Sequence, residues 1–145
     1  MSHTTVIKTV PIRSVSALRE TVKALQAQGI KIEMKENAVP RMYYPDQLRT
    51  QLKRSKSEAD IVLHLSDSKY DVALLAKADG TYDIAYDTWN GYVSNVLGNK
   101  QSGLGKLLQE YSIQATLEAG AAAGYTLYNI ATNEDGSRVV EFAVQ

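Results

Sequence analysis

Apolar and polar residues recur along this chain with two different periods, and these periods predict where its helices and strands lie. Alternation or short β-branched runs are typical of strands, whereas an apolar residue at every third or fourth position is typical of an amphipathic helix. The helical period predicts one helix with an apolar face of Val15, Leu18, Val22 and Leu25, and a second over residues 104–122. The strand pattern predicts seven strands, over residues 4–12, 30–34, 60–65, 70–77, 82–86, 125–132 and 138–144.

The ends of these elements carry recognisable boundary residues. Ser14 or Ser16 can cap the first helix, because a serine oxygen accepts a hydrogen bond from a free N–H of the first turn. Gly29 and Gly124 suit the left-handed turn that ends a helix. Most strands are separated by short turns, which favours an α+β fold in the order βαβ-β-β-β-α-β-β. We expect a single, mainly antiparallel sheet with two helices on one face.

One stretch, residues 35–57, departs from both periods. Within it the basic residues far outnumber the acidic ones, and Tyr43 and Tyr44 lie beside them. Basic side chains next to aromatic rings can contact phosphates and stack bases, and they can also bind an acidic protein; a solvated loop is the third interpretation. We expect an irregular segment with a short helix near residues 46–53. From residue 41 to residue 57 the only acidic residue is Asp46, and the basic residues are Arg41, Arg49, Lys53, Arg54 and Lys56.

Composition narrows the choice of function. The chain has 145 residues, which fits one domain over residues 1–145, and 16 basic residues balance 16 acidic ones. A neutral chain does not attract nucleic acid as a whole, and 44% apolar residues exclude a disordered tail. Without cysteine there is no disulfide, thiolate metal site or cysteine nucleophile. The sequence shows neither a leader nor an apolar run that could span a membrane, so we expect a cytoplasmic protein.

Candidate catalytic groups do not form a known constellation. The loop of residues 98–106 resembles a phosphate-binding loop, but Leu107 follows Lys106 where a hydroxyl is required. The two histidines, His3 and His64, could meet only if the first and third strands were neighbours, and His64 is expected to be structural. We therefore expect no catalytic residue, no metal and no cofactor, which favours a non-catalytic role.

Aromatic residues are dominated by tyrosine, with 9 Tyr, 1 Trp and 1 Phe. Tyrosine and tryptophan combine an apolar ring with a polar tip and are enriched at interfaces. Four of them, Tyr82, Tyr86, Trp89 and Tyr92, occur within one stretch. They could line a small-molecule pocket, form a protein-binding surface, or belong to a half-covered sheet.

Several short motifs resemble one known family. They are the opening Met1-Ser2-His3, the run Tyr82-Asp83-Ile84-Ala85-Tyr86-Asp87-Thr88-Trp89, the helical Gln109-Glu110-Tyr111-Ser112, and Glu134-Asp135-Gly136-Ser137 before the last strand. Together they are similar to the hypothetical chloroplast reading frame thirty-five family of cyanobacteria, plastids and some bacteriophages, whose members have unknown function. Genes of that family often lie beside genes for ATPases of the AAA type. The resemblance therefore implies an accessory role, an ATPase as partner, and a bacteriophage or cyanobacterial source.

Two hypotheses of function follow. The first is a protein-interaction domain that uses the open sheet edge or face, the Trp89 region and the basic segment, with no membrane partner and with homo-oligomers left open. The second is a module that binds nucleic acid or a small anionic ligand through residues 41–56. The residues that would carry binding are Tyr43, Tyr44, Arg49, Lys53, Arg54, Tyr86, Trp89 and Tyr92.

Overall fold

The computed structural model describes residues 4–44, 46–135 and 137–144, with the backbone alone for residues 4–10 and 144. Four α-helices and seven strands are assigned in this part of the chain, together with one 3₁₀ turn at Trp89–Gly91. In chain order they are β1 (Thr4–Ile12), α1 (Val15–Ala27), β2 (Ile32–Ala38), α2 (Gln47–Thr50), β3 (Ala59–Leu65), β4 (Val72–Ala76), β5 (Tyr82–Asp87), α3 (Ser94–Leu97), α4 (Gly105–Ala122), β6 (Tyr125–Thr132) and β7 (Arg138–Val144).

Five strands form one antiparallel sheet in the order β1-β5-β4-β3-β2. The α+β class and the antiparallel sheet predicted from the sequence are confirmed. Helix α1 connects β1 at one edge to β2 at the other, so the opening βαβ unit spans the whole sheet. Because β5 pairs with β1 and β2 pairs with β3, the first and third strands are not neighbours. The condition under which His3 could meet His64 is therefore not fulfilled, and His3 itself lies outside the described residues.

The main core lies between one face of this sheet and helices α1, α3 and α4. Leu18 and Leu25 of α1 and Leu107 of α4 are fully buried against the apolar side chains of β3, β4 and β5. Ser14 caps α1 by accepting a hydrogen bond from the N–H of Ala17 at 3.0 Å, as one of the two predicted caps. The two predicted helices on one face of the sheet are therefore present.

The second face of the sheet is covered as well, by residues 39–44 and 46–58, which we call the cover segment. Leu48 of α2 is 1% exposed and packs with five buried residues of β3, β4 and β5: Ala59, Val62, Ala73, Leu75 and Ala85. The expectations of a solvated loop here and of an open sheet face are therefore wrong over this central area. The sequence pattern concealed the contact because the segment contributes only a few apolar side chains, Leu48 with Met42 and Leu52, among many basic ones.

The closing hairpin differs from the prediction of a single sheet, because β6 and β7 form a separate two-stranded sheet. It packs against α4 at Gly120, where an added Cβ would collide with the ring of Phe142. A partly buried ion pair fixes it nearer the start of the helix, with Arg138 Nη1 at 2.8 Å from Glu110 Oε1. The alanine-rich end of α4 therefore supports the hairpin rather than the large sheet.

Strand β2 also differs in length from its prediction. It begins at Ile32 and continues to Ala38, four residues beyond the predicted end at Met34. Its apolar alternation stops early because it is an edge strand with an exposed second half, while pairing with β3 continues as far as Ala38. None of the described helices combines the length and apolar character needed to cross a lipid bilayer.

Candidate functional site

Three aromatic side chains, Tyr43, Tyr44 and Trp89, form an exposed cluster that we call the aromatic patch. The centroids of the Tyr43 and Tyr44 rings are 4.7 Å apart, and those of Tyr43 and Trp89 are 6.0 Å apart, both in edge-to-face arrangements. Such pairs are favoured beyond the apolar area they bury. The three side chains nevertheless remain 47%, 46% and 38% exposed. The three rings therefore stabilise one another's positions and still present a large apolar surface to solvent.

A buried carboxylate holds the two halves of the patch together. Asp87, at the end of β5, is fully buried. Its Oδ2 accepts a hydrogen bond from the N–H of Tyr43 at 3.2 Å, and its Oδ1 accepts one from the N–H of Trp89 at 2.9 Å. The backbone of Tyr44 is fixed in turn by its N–H, which donates to Gln47 Oε1 at 3.0 Å. The rings thus stand on a backbone positioned by the sheet and by α2.

Sequence reasoning did not identify Asp87 as the anchor of this patch. The contact with Trp89 could have been predicted, because an aspartate side chain commonly accepts a hydrogen bond from the N–H two residues later in the chain. The contact with Tyr43 spans 44 residues and depends on how the cover segment lies across the sheet. No local pattern predicts such a contact.

A second polar network fixes the start of the cover segment. Asp71 is 2% exposed and accepts hydrogen bonds from both the side chain and the backbone N–H of Arg41, with Nη2 at 2.8 Å from Oδ1. Burial by itself would raise the pKa of Asp71, but the hydrogen bonds and charge of Arg41, with the N–H of Leu65, hold it below its ordinary value. Arg41 also donates to the carbonyl oxygen of Leu65 at 2.7 Å. The network ties the segment to the turn between β3 and β4.

His64 belongs to the same network. Its Nδ1 lies 3.0 Å from Asp71 Oδ1, and the imidazole is 25% exposed. Because the carboxylate can only accept, Nδ1 is the protonated nitrogen of this pair. The contact agrees with the expectation that His64 is a hydrogen-bonded structural residue. Among the residues that the structure describes, no cluster of three or more histidine or carboxylate side chains is arranged to hold a metal ion.

The basic residues of the cover segment are largely paired with carboxylates. Arg49 Nη1 and Arg54 Nη2 each lie 3.3 Å from a carboxylate oxygen, on Asp46 and Asp60 respectively, and Arg41 is bound to Asp71. Lys53 donates to the carbonyl oxygen of Thr50 at 3.4 Å, and like Lys56 it has no carboxylate partner among the described residues. The excess of positive charge counted along the sequence is therefore much smaller on the folded surface.

Two other predicted binding residues lie apart from the patch. Tyr86 is 6% exposed within the main core, and burial raises the pKa of its hydroxyl. Tyr92 packs edge-on against Tyr70 with centroids 5.3 Å apart, and Lys69 Nζ lies 5.3 Å from the centre of its ring. The pKa of Tyr92 is lowered, chiefly by a hydrogen bond from Asn90 and also by Lys69, against the opposing effect of burial. The structure thus separates the aromatic run that the sequence shows as one group.

The loop that resembles a phosphate-binding loop is closed on itself. Asn99 Oδ1 accepts hydrogen bonds from the N–H groups of Gln101 and Ser102, at 2.9 and 3.1 Å. The same side chain packs against Gly105, where any Cβ would collide with it. Asn99 thus occupies amides that an anion would otherwise use.

Comparison with known proteins places the chain in a family. The sequence profile of DUF1257, described as a protein of unknown function, matches residues 24–140. The chain belongs to the DUF1257 family. The region of DUF1257 similarity begins in α1 and ends in β7, and it includes the cover segment, Asp87 and the whole aromatic patch. No curated protein and no solved structure matches the chain significantly.

Proposed function

We propose that the chain is a non-catalytic accessory protein whose protein partner docks on the aromatic patch. The observation that carries the proposal is the rigid presentation of three exposed aromatic rings, with two of their backbones bound to one buried carboxylate. Tyrosine and tryptophan side chains provide most of the binding energy of many interfaces, especially where they are fixed before the partner arrives. The side chains in this role are Tyr43, Tyr44 and Trp89.

The partner we propose is an ATPase of the AAA type, in the cytoplasm of a cyanobacterium or of a cell infected by its bacteriophage. Support comes from the short motifs shared with the chloroplast reading frame thirty-five family and from the gene neighbourhood of that family. The membership in DUF1257 is compatible with this finer assignment, and it specifies neither the partner nor the source.

The test compares Trp89→Ala with Val139→Ala, a control that removes an exposed apolar side chain from β7 instead. Affinity is measured by calorimetry against the purified ATPase partner. Trp89→Ala is expected to weaken binding by about 2 kcal/mol, roughly thirtyfold, which is typical of an aromatic hot spot. Val139→Ala is expected to bind as the wild type does.

Trp89 also provides a direct signal, because it is the only tryptophan of the chain. Its side chain is partly exposed, so covering it should shift its fluorescence emission to shorter wavelength when the partner binds. Unchanged affinity in Trp89→Ala, or an emission spectrum that does not respond to saturating partner, would contradict the proposed docking site.

The second candidate function is binding of nucleic acid or a small anion through residues 41–56. Lys53 and Lys56 favour it, because they lack a carboxylate partner among the described residues, whereas the three arginines of the segment are engaged. This function requires binding to DNA or RNA that falls steeply with salt and is lost in Lys53→Ala/Lys56→Ala. Such binding would favour this function over protein docking if, in addition, Trp89→Ala left the affinity for the protein partner unchanged and the Trp89 emission did not respond to that partner.

A further inference from the structure

The closing hairpin presents a strand edge that no other strand covers within the described part of the chain. Among the described residues β6 pairs only with β7, and its other side has no strand partner. The hairpin is nevertheless held firmly, by Phe142 against Gly120 and by the ion pair of Arg138 with Glu110. Its free edge is therefore presented in a fixed orientation.

Among the strands that the structure describes, four lie at sheet edges, and three of these carry charged residues or proline that discourage pairing with another chain. Proteins protect such edges with charged residues, with proline or with β-bulges. Strand β1 contains Pro11, β2 contains Lys35 between two glutamates, and β7 contains Arg138 and Glu141. The sequence of β6, YTLYNIAT, has neither a charge nor a proline along its eight residues, and its one irregularity is a β-bulge at Tyr128, with regular pairing on both sides.

The same strand concentrates exposed apolar side chains. Tyr125 and Leu127 are each 44% exposed, and Tyr128 is 74% exposed. These are three neighbouring positions on one uncharged strand, in contrast to the scattered apolar residues that are normal on a surface. The free backbone edge and the apolar side chains therefore belong to one candidate surface.

We propose that β6 pairs antiparallel with β6 of a second copy of this chain, about a two-fold axis, to form the four-stranded sheet β7-β6-β6-β7. Because β6 has no charged side chain, it does not favour a partner of opposite charge. For the same reason, two copies of β6 can approach each other without electrostatic repulsion. The chain as a whole has a formal charge of zero, which also removes long-range repulsion between copies. Isologous contact is the commonest form of self-association.

The geometry of such a pair gives a sharp signature. The register of β6 with β7 shifts between Leu127 and Asn129, so the strand offers one regular stretch on each side of Tyr128. In a symmetric antiparallel pair, a residue faces its own copy only at the axis. Since a strand rises about 3.4 Å per residue, identical residues separate by about 7 Å more with each step away from the axis.

The test begins with the full chain in sedimentation equilibrium over a wide concentration range, where we expect a reversible dimer. Asn129 lies beside the midpoint of β6, so when the two strands overlap along their whole length Asn129→Lys brings like charges together near the axis. The variant is expected to raise the dimer dissociation constant by about tenfold or more. The matched control is Val39→Lys, which adds the same charge at an exposed apolar position outside the hairpin. It should leave the dissociation constant unchanged.

A cysteine scan locates the axis, and the absence of native cysteine makes it clean. Single cysteines are placed in turn along Tyr125–Thr132, and disulfide-linked dimer is measured after mild oxidation. The yield should peak at one or two adjacent positions of β6 and fall at once on either side, because disulfides require Cβ atoms about 4 Å apart. A chain that is monomeric at every concentration, or a dimer indifferent to Asn129→Lys or lacking a yield maximum in β6, would overturn the proposal.

Discussion

Replacing Leu48 by alanine tests whether the cover segment is part of the folded core. Leu48 is 1% exposed, and it packs on a sheet surface made chiefly of alanine and valine. Such small side chains, on a sheet held by hydrogen bonds, cannot move far to fill the space left by the lost atoms. Leu→Ala changes at buried sites cost about 2–5 kcal/mol, with the larger values where the surroundings do not collapse. We therefore expect a loss of about 3 kcal/mol.

The assay is urea unfolding followed by circular dichroism. A loss of that size corresponds to a fall of roughly 10 °C in Tm for a chain of this length. The control is Val39→Ala, an exposed apolar residue of the same segment, whose effect should stay within about 0.5 kcal/mol. Trypsin provides a second readout, since Arg49 and Lys53 lie in the segment and should be cut faster in the native state of Leu48→Ala.

The opposite interpretation is a solvated loop that only passes near the sheet. In that case Leu48→Ala would cost less than about 1 kcal/mol and trypsin would cut wild type and variant at the same rate. Those two results together would refute the placement of the cover segment on the second face of the sheet.

Two further predictions concern contacts elsewhere in the fold. Because the folded-state pKa of Asp71 is lowered, its contribution to stability is present above its unfolded pKa of about 3.9 and is lost as pH falls through the folded value. Asp71→Asn should lower the free energy of unfolding by roughly 2 kcal/mol at pH 7, and that free energy should then fall less steeply with decreasing pH below about pH 4 than it does in the wild type. Urea unfolding at a series of pH values measures this, and the same pH dependence in variant and wild type would contradict the prediction. At Gly120, alanine would gain about 1 kcal/mol in an unhindered helix, but its methyl collides with the Phe142 ring. We therefore expect Gly120→Ala to lower the stability by about 1–2 kcal/mol in thermal unfolding. A Tm above that of the wild type would contradict this, because it would mean that the hairpin moves aside to admit the methyl group.

The long elements of this fold could be predicted from sequence because each has a local cause. The helical stripe of Leu18, Val22 and Leu25 and the serine cap at Ser14 are visible within a few residues of one another. Pairing of β4 with β5 follows from a short turn around Gly80. These signals need no knowledge of distant contacts, and the structure agrees with them.

The covering of the second face could not be predicted in the same way. Its apolar residues, Met42, Leu48 and Leu52, are too few and too widely spaced to show a period, and the basic residues between them indicate solvent exposure. The charges are compensated by carboxylates that lie elsewhere, such as Asp71, thirty positions beyond Arg41. Counting charge along a segment overestimates its positive potential whenever the fold supplies the opposite charge.

The aromatic patch depends on the same contacts that hold the cover segment. Tyr43 and Tyr44 lie between two attachments, the ion pair of Arg41 with Asp71 on one side and buried Leu48 on the other. Trp89 lies two residues after the end of β5 and is positioned by the large sheet. One half of the patch is therefore contributed by an attached segment and the other by a strand end, with Asp87 bonded to both. The contacts of Arg41 with Asp71, of Tyr43 with Asp87 and of Leu48 with the sheet hold the described part of this basic segment in place, and they bring two of the three rings to the point where the sheet supplies the third.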